Sequence, residues 1–570
     1  MSSHSFKPIW DAISAHNHKK ALQLLNDLIT ITDDDTRNKK ALKSIVLSKL
    51  GDYNAALTEA ESILDMPSPV ANDYNLLGNL YLKTKQINKA EAAYLRAIAL
   101  NDRYINAYLN LANLKFKSEN LIEAEKLYRK VLSLNSAHID ASYYLSSIYL
   151  QQNKTDKAND IIEPLFKNNR DHPRLLNQWA QCQYLLGLNE NMIRELGEHN
   201  FKQSTEIDAA WFLANAYYTE KQYRQAIETA LFIKTMDPYY DQINALLGHC
   251  YLELEQFDES LKYYLLENEV TKDPDIYFNC AIIMEAKQRQ KDAVRYYEDA
   301  IKLNNKYFQA YYNLGNLYLS QGAFESANKA YHKALQLEPN NLELQFIMSA
   351  LDPETYSVPH HTPSSFVKNL FNQYAPYYDQ HLKQTLNFQV PQLIINLLET
   401  NNILGENNAI NTLDIGCGSG LIGDLFAANK DINLVGIDIS DKMLELTKAK
   451  GRYKELIQAD VQSLEPIDQH FQLIIASDII PYLGDLNNFF NFCNKQLDHG
   501  GHLCFSYESL NPDLDVKFQL EKTLRFKHAH EYIAEMLTNN NFKLVTIENA
   551  ILRTNHKEPI YGEIILAQAI

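Results

Sequence analysis

The stretch Thr412-Leu-Asp-Ile-Gly-Cys-Gly-Ser-Gly-Leu-Ile-Gly423 decides the fold of the second half of this chain. Two apolar residues of a short strand, Leu413 and Ile415, bracket one acid, Asp414. Four glycines follow within eight residues, Gly416, Gly418, Gly420 and Gly423, just as an apolar-periodic helix begins. Glycine is used this densely where the backbone must take φ > 0, or where a ligand approaches with no Cβ in the way. A strand, a glycine turn and a helix N-terminus together make the floor on which α/β domains seat nucleotide cofactors.

Downstream of this floor the sequence alternates. Strands are expected at 412–415, 434–438, 455–460, 471–477, 501–507, 542–548 and 561–568, with helices at about 420–428, 441–450, 486–497 and 528–540. Such alternation implies a doubly wound, mostly parallel sheet. The last two strands are too close for a crossover helix and should pair antiparallel. Three acids fall on strand ends: Asp414, Asp438 and Asp460. An acid after the second strand, about 20 residues past the glycines, is placed to accept both ribose hydroxyls of a nucleotide. Asp460 can take an exocyclic adenine amine. Any one of them could be a cap or turn residue; the ordered set is harder to explain that way.

A dinucleotide site competes, because Gly418-Ser-Gly420-Leu-Ile-Gly423 satisfies GxGxxG. Its first glycine should follow the strand directly, and here Gly416 does. Asp414 and Asp460 also have no role in dinucleotide binding.

Upstream, the chain repeats itself with a step of 34 residues. Tyr74, Leu77, Gly78, Tyr81, Ala90, Tyr94 and Ala97 recur as Tyr311, Leu314, Gly315, Tyr318, Ala327, Tyr331 and Ala334, with copies between. That is the period of the tetratricopeptide repeat. Small residues let two antiparallel helices approach, and tyrosines fill the gap between neighbouring hairpins. About eight or nine units are expected over 1–345, with two worn copies between Phe6 and Pro69 and a degenerate stretch near 172–206. Such stacks form a superhelix whose concave groove suits a protein or peptide. Asn79, Asn110, Asn113, Asn313 and Asn316 are the candidate groove contacts, since an asparagine offers a donor and an acceptor together.

The segment NNLELQFIMSALD reads as a capping helix with a polar outer face. Pro353, Pro359 and Pro363 then mark a linker over 346–365, in which His360-His361 reads as solvated loop rather than metal ligand. The catalytic half follows at 366–570. Its first part, 366–400, is an aromatic-rich helical lid from which Tyr374, Tyr377 or Tyr378 could close over a cofactor.

At 570 residues the chain needs more than one core. A net charge of −17 argues against a nucleic-acid partner, which requires a basic face. Six scattered cysteines without a CxxC pair read as reduced thiols, with no metal site and no disulfide frame. The opening MSSHSFKPIW does not read as a signal peptide, and no apolar run approaches the roughly 18 residues of a membrane span, so a cytoplasmic protein is expected.

The catalytic half resembles the class I S-adenosylmethionine-dependent methyltransferases. LDIGCGSG at 413–420 matches their first motif, GIDIS with Met443-Leu444 the second, Ala459-Asp460 the third and IIASDIIPYLGDL at 474–486 the fourth. Together with the repeats, FNQYAPYYDQHL and RFKHAHEYI narrow the resemblance to bacterial methyltransferases that carry tetratricopeptide repeats. One departure is Asn372, where that group usually has aspartate.

The resemblance implies an all-α solenoid followed by a Rossmann-like α/β domain that binds S-adenosylmethionine. It implies that Asp414 and the Gly416–Gly418 backbone hold the methionine moiety and that Asp438 holds the ribose. Met443 would pack on the adenine, Asp460 with Val461 would read its edge, and Ser477 would sit beside the methyl group, with Tyr374 contributing from the lid. Asp478, Tyr482 and His528 are the candidate catalytic groups, with His530 and Tyr532 nearby; a histidine could serve as general base. Arg525 and Arg553 would hold an anionic substrate or form ion pairs. Two readings stand: an active methyltransferase whose repeats recruit a protein substrate or partner, or a repeat scaffold whose second domain binds cofactor without turnover; methylation of a small molecule is the further alternative, since small-molecule methyltransferases share the same cofactor motifs.

Overall fold

The computed structural model describes residues 3–30, 32–201, 204–404, 410–426, 432–555 and 558–570. They form two compact units, Met1–Thr271 and Lys272–Ile570.

The first unit is a run of helical hairpins, from Ser3–Ser14 with His18–Asp27 to Ile243–Glu253 with Phe257–Asn268. The 172–206 stretch is a hairpin too, Pro173–Leu185 with Asn189–Leu196, degenerate because its second helix is short. With two more hairpins in the second unit, the described residues hold ten where the sequence suggested eight or nine.

The repeat has a steric cause. A Cβ on Gly78 would lie 2.5 Å from the Tyr94 ring, and one on Gly315 would lie 2.6 Å from the Tyr331 ring. The tyrosine at this position also reaches the residue after the small one, which is Gly78, Ala112 or Gly315. Tyr94 donates to Asn79 Oδ1 at 2.7 Å, Tyr128 to Asn113 at 2.7 Å and Tyr331 to Asn316 at 2.6 Å. Asn110 donates to Asn75 and Asn79, and Asn313 to the Tyr297 hydroxyl. These asparagines are therefore engaged within the array through one or more of their polar atoms. Between the two helices of each hairpin one residue is left-handed, whether glycine (Gly51, Gly187, Gly322) or not (Lys85, Glu119, Lys221). That geometry ends the first helix and releases the chain for the return.

The second unit opens with the last two hairpins, Pro274–Ala286 with Gln290–Leu303 and Phe308–Ser320 with Phe324–Leu337, then the helix Leu342–Leu351. This last helix was expected to cap the array with a polar face. Instead Leu344, Phe346, Ile347, Met348 and Ala350 are all buried, in one cluster with Leu520, Leu524 and Phe526 of the α/β domain. The proline-rich segment is also fastened down. The His360 carbonyl accepts from the amides of Gly484 and Asp485 at 2.9 and 3.0 Å, and Thr362 is fully buried.

Among its described residues the α/β domain has nine strands: β1 Ile410–Ile415, β2 Ile432–Asp438, β3 Glu455–Gln458, β4 Phe471–Ala476, β5 Leu497–Glu508, β6 Phe518–Leu520, β7 Phe526–His528, β8 Phe542–Asn555 and β9 Glu558–Ala569. Seven make one sheet in the order β3-β2-β1-β4-β5-β9-β8. The first five are parallel, and β9 and β8 are antiparallel, as their spacing required. The order reverses between β1 and β4, so a crevice opens beyond their carboxyl ends.

The β6–β7 hairpin corrects the sequence reading, which began a helix at His528. Phe526 and His528 are buried on either side of the half-buried Lys527, a period of two, and the helix begins only at His530. The helix after the glycines runs Leu421–Leu425; its expected end at 427–428 lies outside the described residues.

Candidate functional site

The glycine turn is built so that its backbone faces the crevice. Gly416, Gly418 and Gly420 all take positive φ, at 72°, 53° and 82°. The amides of Gly416 and Cys417 both donate to the Ile437 carbonyl, at 2.8 and 3.0 Å, which ties the turn to β2. Gly418 N–H donates to Asp438 Oδ2 at 2.8 Å, and Ser440 N–H donates to Oδ1 at 2.8 Å. Burial nonetheless pushes the Asp438 carboxyl above the usual range.

The four glycines divide by task. Gly416 and Gly418 line the crevice. Gly420 and Gly423 instead make room for Tyr453, whose ring would lie 3.3 and 2.5 Å from a Cβ at those positions. The GxGxxG match is thus mostly a packing pattern for one tyrosine.

The crevice holds about 690 Å³ of atom-free space, the open solvent at its mouth included. Its floor is Ile415, Gly416, Gly418 and Asp438, and its far wall is Asp460, Val461 and Gln462. Ser477, Asp478 and Ile479 line it from the end of β4. The roof is one face of the helix Ser364–Tyr374: Ser364, Val367 and Phe371, spaced i, i+3, i+7, with Tyr378 beyond. Among the described residues its lining has three carboxylates and no lysine, arginine or histidine. That donor set suits a cationic ligand with hydroxyl and amine donors, and it offers no side-chain cation to a pyrophosphate.

The lid is fastened at both ends of the crevice. Ser364 is hydrogen-bonded to Asp460, and Ser419 to Asp379. Asn372, the departure noted in the sequence, accepts from Ser440 Oγ at 2.6 Å and donates to Asp441 at 3.1 Å. An aspartate there would face Asp441 with no proton to give.

Several sequence candidates lie elsewhere. Asp414 is fully buried behind the turn, where Tyr453 donates to it at 2.6 Å and its other oxygen has no partner. Burial raises its pKa to about 7, with the Tyr453 hydrogen bond opposing and Asp438 adding to the rise. Met443 is fully buried and does not line the crevice. Tyr374 faces a neighbouring chamber, and Tyr378 is the lid tyrosine over the turn, 3.7 Å from a Cβ at Gly418. Tyr377 is exposed.

His528 corrects the catalytic assignment. It is fully buried, its Nε2 lies 3.1 Å from the Gly484 carbonyl, and burial pushes its pKa down to about 4. It is the last residue of β7, paired with Phe518 of β6, and lines neither cavity. Asp478 and Tyr482 do line the crevice, but both are held by Arg525. Its guanidinium pairs with Asp478 at 2.5 Å and Glu508 at 2.7 Å, and donates to the Tyr482 hydroxyl at 2.9 Å. Arg553 pairs with the same Glu508 at 3.2 Å. The residue before Arg525, Leu524, takes φ of 63°, a strained choice for a branched side chain, and it is kept there by its place in the cluster with Phe346.

Comparisons with known proteins agree with this architecture. A family described as a methyltransferase domain matches residues 413–505. Tetratricopeptide repeat families match 74–104, 115–178, 241–266 and 308–341. A tRNA (guanine-N(7)-)-methyltransferase of Clostridium botulinum is 28% identical over 175 residues, 28% of this chain and 76% of that protein. Tetratricopeptide repeat protein 6 of Homo sapiens is 40% identical over 63 residues, 11% of this chain and 12% of that one. Among solved structures, a SAM-dependent methyltransferase from Methanosarcina mazei aligns at 20% identity and a TM-score of 0.26, covering 29% of this chain and 94% of its own.

The chain therefore carries tetratricopeptide repeats followed by a class I methyltransferase domain whose cofactor is S-adenosylmethionine. The carboxylates and glycine turn of the crevice fit that cofactor, which supplies an activated methyl group when bound. Among the described residues no helix is long and apolar enough to cross a membrane, and no cluster of three metal-ligating side chains occurs.

Proposed function

We propose that this protein transfers a methyl group from S-adenosylmethionine to an acceptor, and that its repeat array recruits a protein partner to the reaction. The observation that carries the first part is the crevice itself. Gly416 and Gly418 offer a bare backbone, Asp438 is oriented by two amides to take ribose hydroxyls, and Asp460 and Val461 stand where the adenine edge would lie. The chain's own work is to bind and orient: a nucleophile held in line with a methyl group gains most of what a fixed geometry can give. Asp478 and Tyr482, fixed by Arg525, are the polar groups at the border of the crevice where that nucleophile would sit.

Recruitment rests on a groove of the first unit. Lys49, Lys83 and Lys117 stand 34 residues apart and line it together with Asn79 and Asn113. Three exposed cations in register on a chain of net charge −17 suit an acidic segment of a partner.

Calorimetric titration of S-adenosylmethionine and of NAD into wild type and Asp438→Ala tests the catalytic reading. Saturable binding of the former, lost on substitution, supports it. Binding of NAD, or of neither, sinks it and leaves a repeat scaffold.

A further inference from the structure

A second cavity lies against the first. It holds about 840 Å³ of atom-free space and shares Phe371, Tyr378, Asp478 and Tyr482 with the cofactor crevice. Two faces of one helix therefore line two cavities: Ser364, Val367 and Phe371 look into the crevice, and Phe366, Leu370 and Tyr374 into the chamber. Away from the shared wall the chamber is lined by Leu382, Leu386, Phe388 and Leu524; its polar groups there are Thr523, Arg525 and, with hydrogen-bonding capacity to spare, the two groups His381 and Arg553.

Those two groups lack partners on the side that matters. His381 Nδ1 is buried and makes no hydrogen bond. Arg553 uses Nε and Nη2 on Glu508, at 3.4 and 3.2 Å, and among the described residues Nη1 has no partner. Arg525, by contrast, is saturated by Asp478, Glu508 and Tyr482. The two sit close enough that Arg553, after burial, contributes to holding the His381 imidazole below its usual range, so a neutral ring stands beside a half-used guanidinium. A buried nitrogen without a partner is destabilising, and a ligand oxyanion placed between the two groups would relieve it.

We infer that this chamber binds the methyl acceptor, a small molecule with a planar apolar body and a carboxylate head, the head held by Arg553 and His381. The inference rests on the methyltransferase reading of the neighbouring crevice. The rings of Phe366, Phe371, Tyr374, Tyr378 and Phe388 sandwich the body. The wall of Phe371, Tyr378, Asp478 and Tyr482 is common to both cavities, so the group of the bound molecule that faces it is the one to which the methyl group is delivered. The carboxylate is the handle, and the group facing that wall is the acceptor.

The test uses the full chain, with a hydroxynaphthoate and its neutral carboxamide as fluorescent probes. The acid should bind at least about tenfold tighter than the amide, since one charge-assisted hydrogen bond in a closed site is worth that much. Arg553→Gln and His381→Ala should each erase the preference and leave S-adenosylmethionine affinity within about twofold. If Arg553→Gln does not fold, as judged by lost cofactor binding, His381→Ala decides alone. Failure of the acid to bind, equal affinity for acid and amide, or a preference that survives either folded variant would overturn the inference. Absence of cofactor binding to wild type would be a separate failure, that of the methyltransferase reading.

Discussion

The crevice and the chamber share a wall yet are built in opposite ways. The crevice is assembled from four strand ends and the turns that leave them, so its floor is backbone, and two of its three carboxylates, Asp438 and Asp460, accept from adjacent amides. The chamber is assembled from side chains of the lid, the turn of the β6–β7 hairpin and β8, with sequence separations above a hundred residues. A site made of backbone is fixed by the fold and tolerates little change in it. One made of side chains can be re-lined without touching the sheet. The difference shows why one cofactor serves many acceptors within a single architecture.

The comparison can be broken first at Gly416. An alanine there must hold a φ of 72° and would place its Cβ 2.8 Å from Ile479 Cδ1. Gly416→Ala should weaken cofactor binding on the order of 100-fold and cost about 1–3 kcal/mol of stability. Phe388→Ala, in the chamber, should leave cofactor affinity within about twofold. Calorimetry on both variants checks this, and equal losses would erase the distinction between the two sites.

The array offers the next test of backbone against side chain. Gly315→Ala drives a methyl into the fully buried Tyr331 ring and should cost about 1–3 kcal/mol in denaturant unfolding. A neutral result would mean that the helices separate freely.

A pH dependence sharpens the picture of the crevice floor. Asp414 titrates near 7 in the folded chain and near about 4 when unfolded, so between those values the native state binds the proton and the unfolded state does not. Unfolding free energy of the apoprotein should therefore fall as pH rises from 4 to 7, and Asp414→Asn should flatten that slope. Denaturation midpoints across the range measure it; an unchanged slope would show that Tyr453 alone settles the carboxylate.

The smallest effect is expected at Asn316, whose loss leaves the Tyr331 hydroxyl to solvent. Asn316→Ala should cost about 1 kcal/mol or less by the same unfolding assay.

The contrast also explains what the sequence disclosed. The repeats, the mostly parallel sheet with its antiparallel last pair, and the acids after β2 and β3 were legible because each follows from spacing along the chain. Asp414 and Asp438 both read as acids on strand ends and both are buried; what separates them is the side they face, Asp414 pairing with Tyr453 behind the turn and Asp438 lining the crevice. Ser364, Val367 and Phe371 carried a visible i, i+3, i+7 signal that an inspection of the tyrosines alone passed over. His528 was misplaced because three strand residues ahead of a helix look like its first turn. The chamber had no local signal: nothing in the chain links Arg553 to His381 before the fold does.

The burial of Leu342–Leu351 against the β6–β7 hairpin also bears on how such a chain could arise by gene fusion. Joining this catalytic domain to a foreign repeat array at the proline-rich segment would strip the cover from Leu520, Leu524 and Phe526 and leave an apolar face open to aggregation. A junction between the two compact units, near residue 271, would carry the last two repeats along with the domain they cover. Inheritance is then expected to treat those repeats as part of the enzyme, free to diverge in groove but not in the face that seats the hairpin.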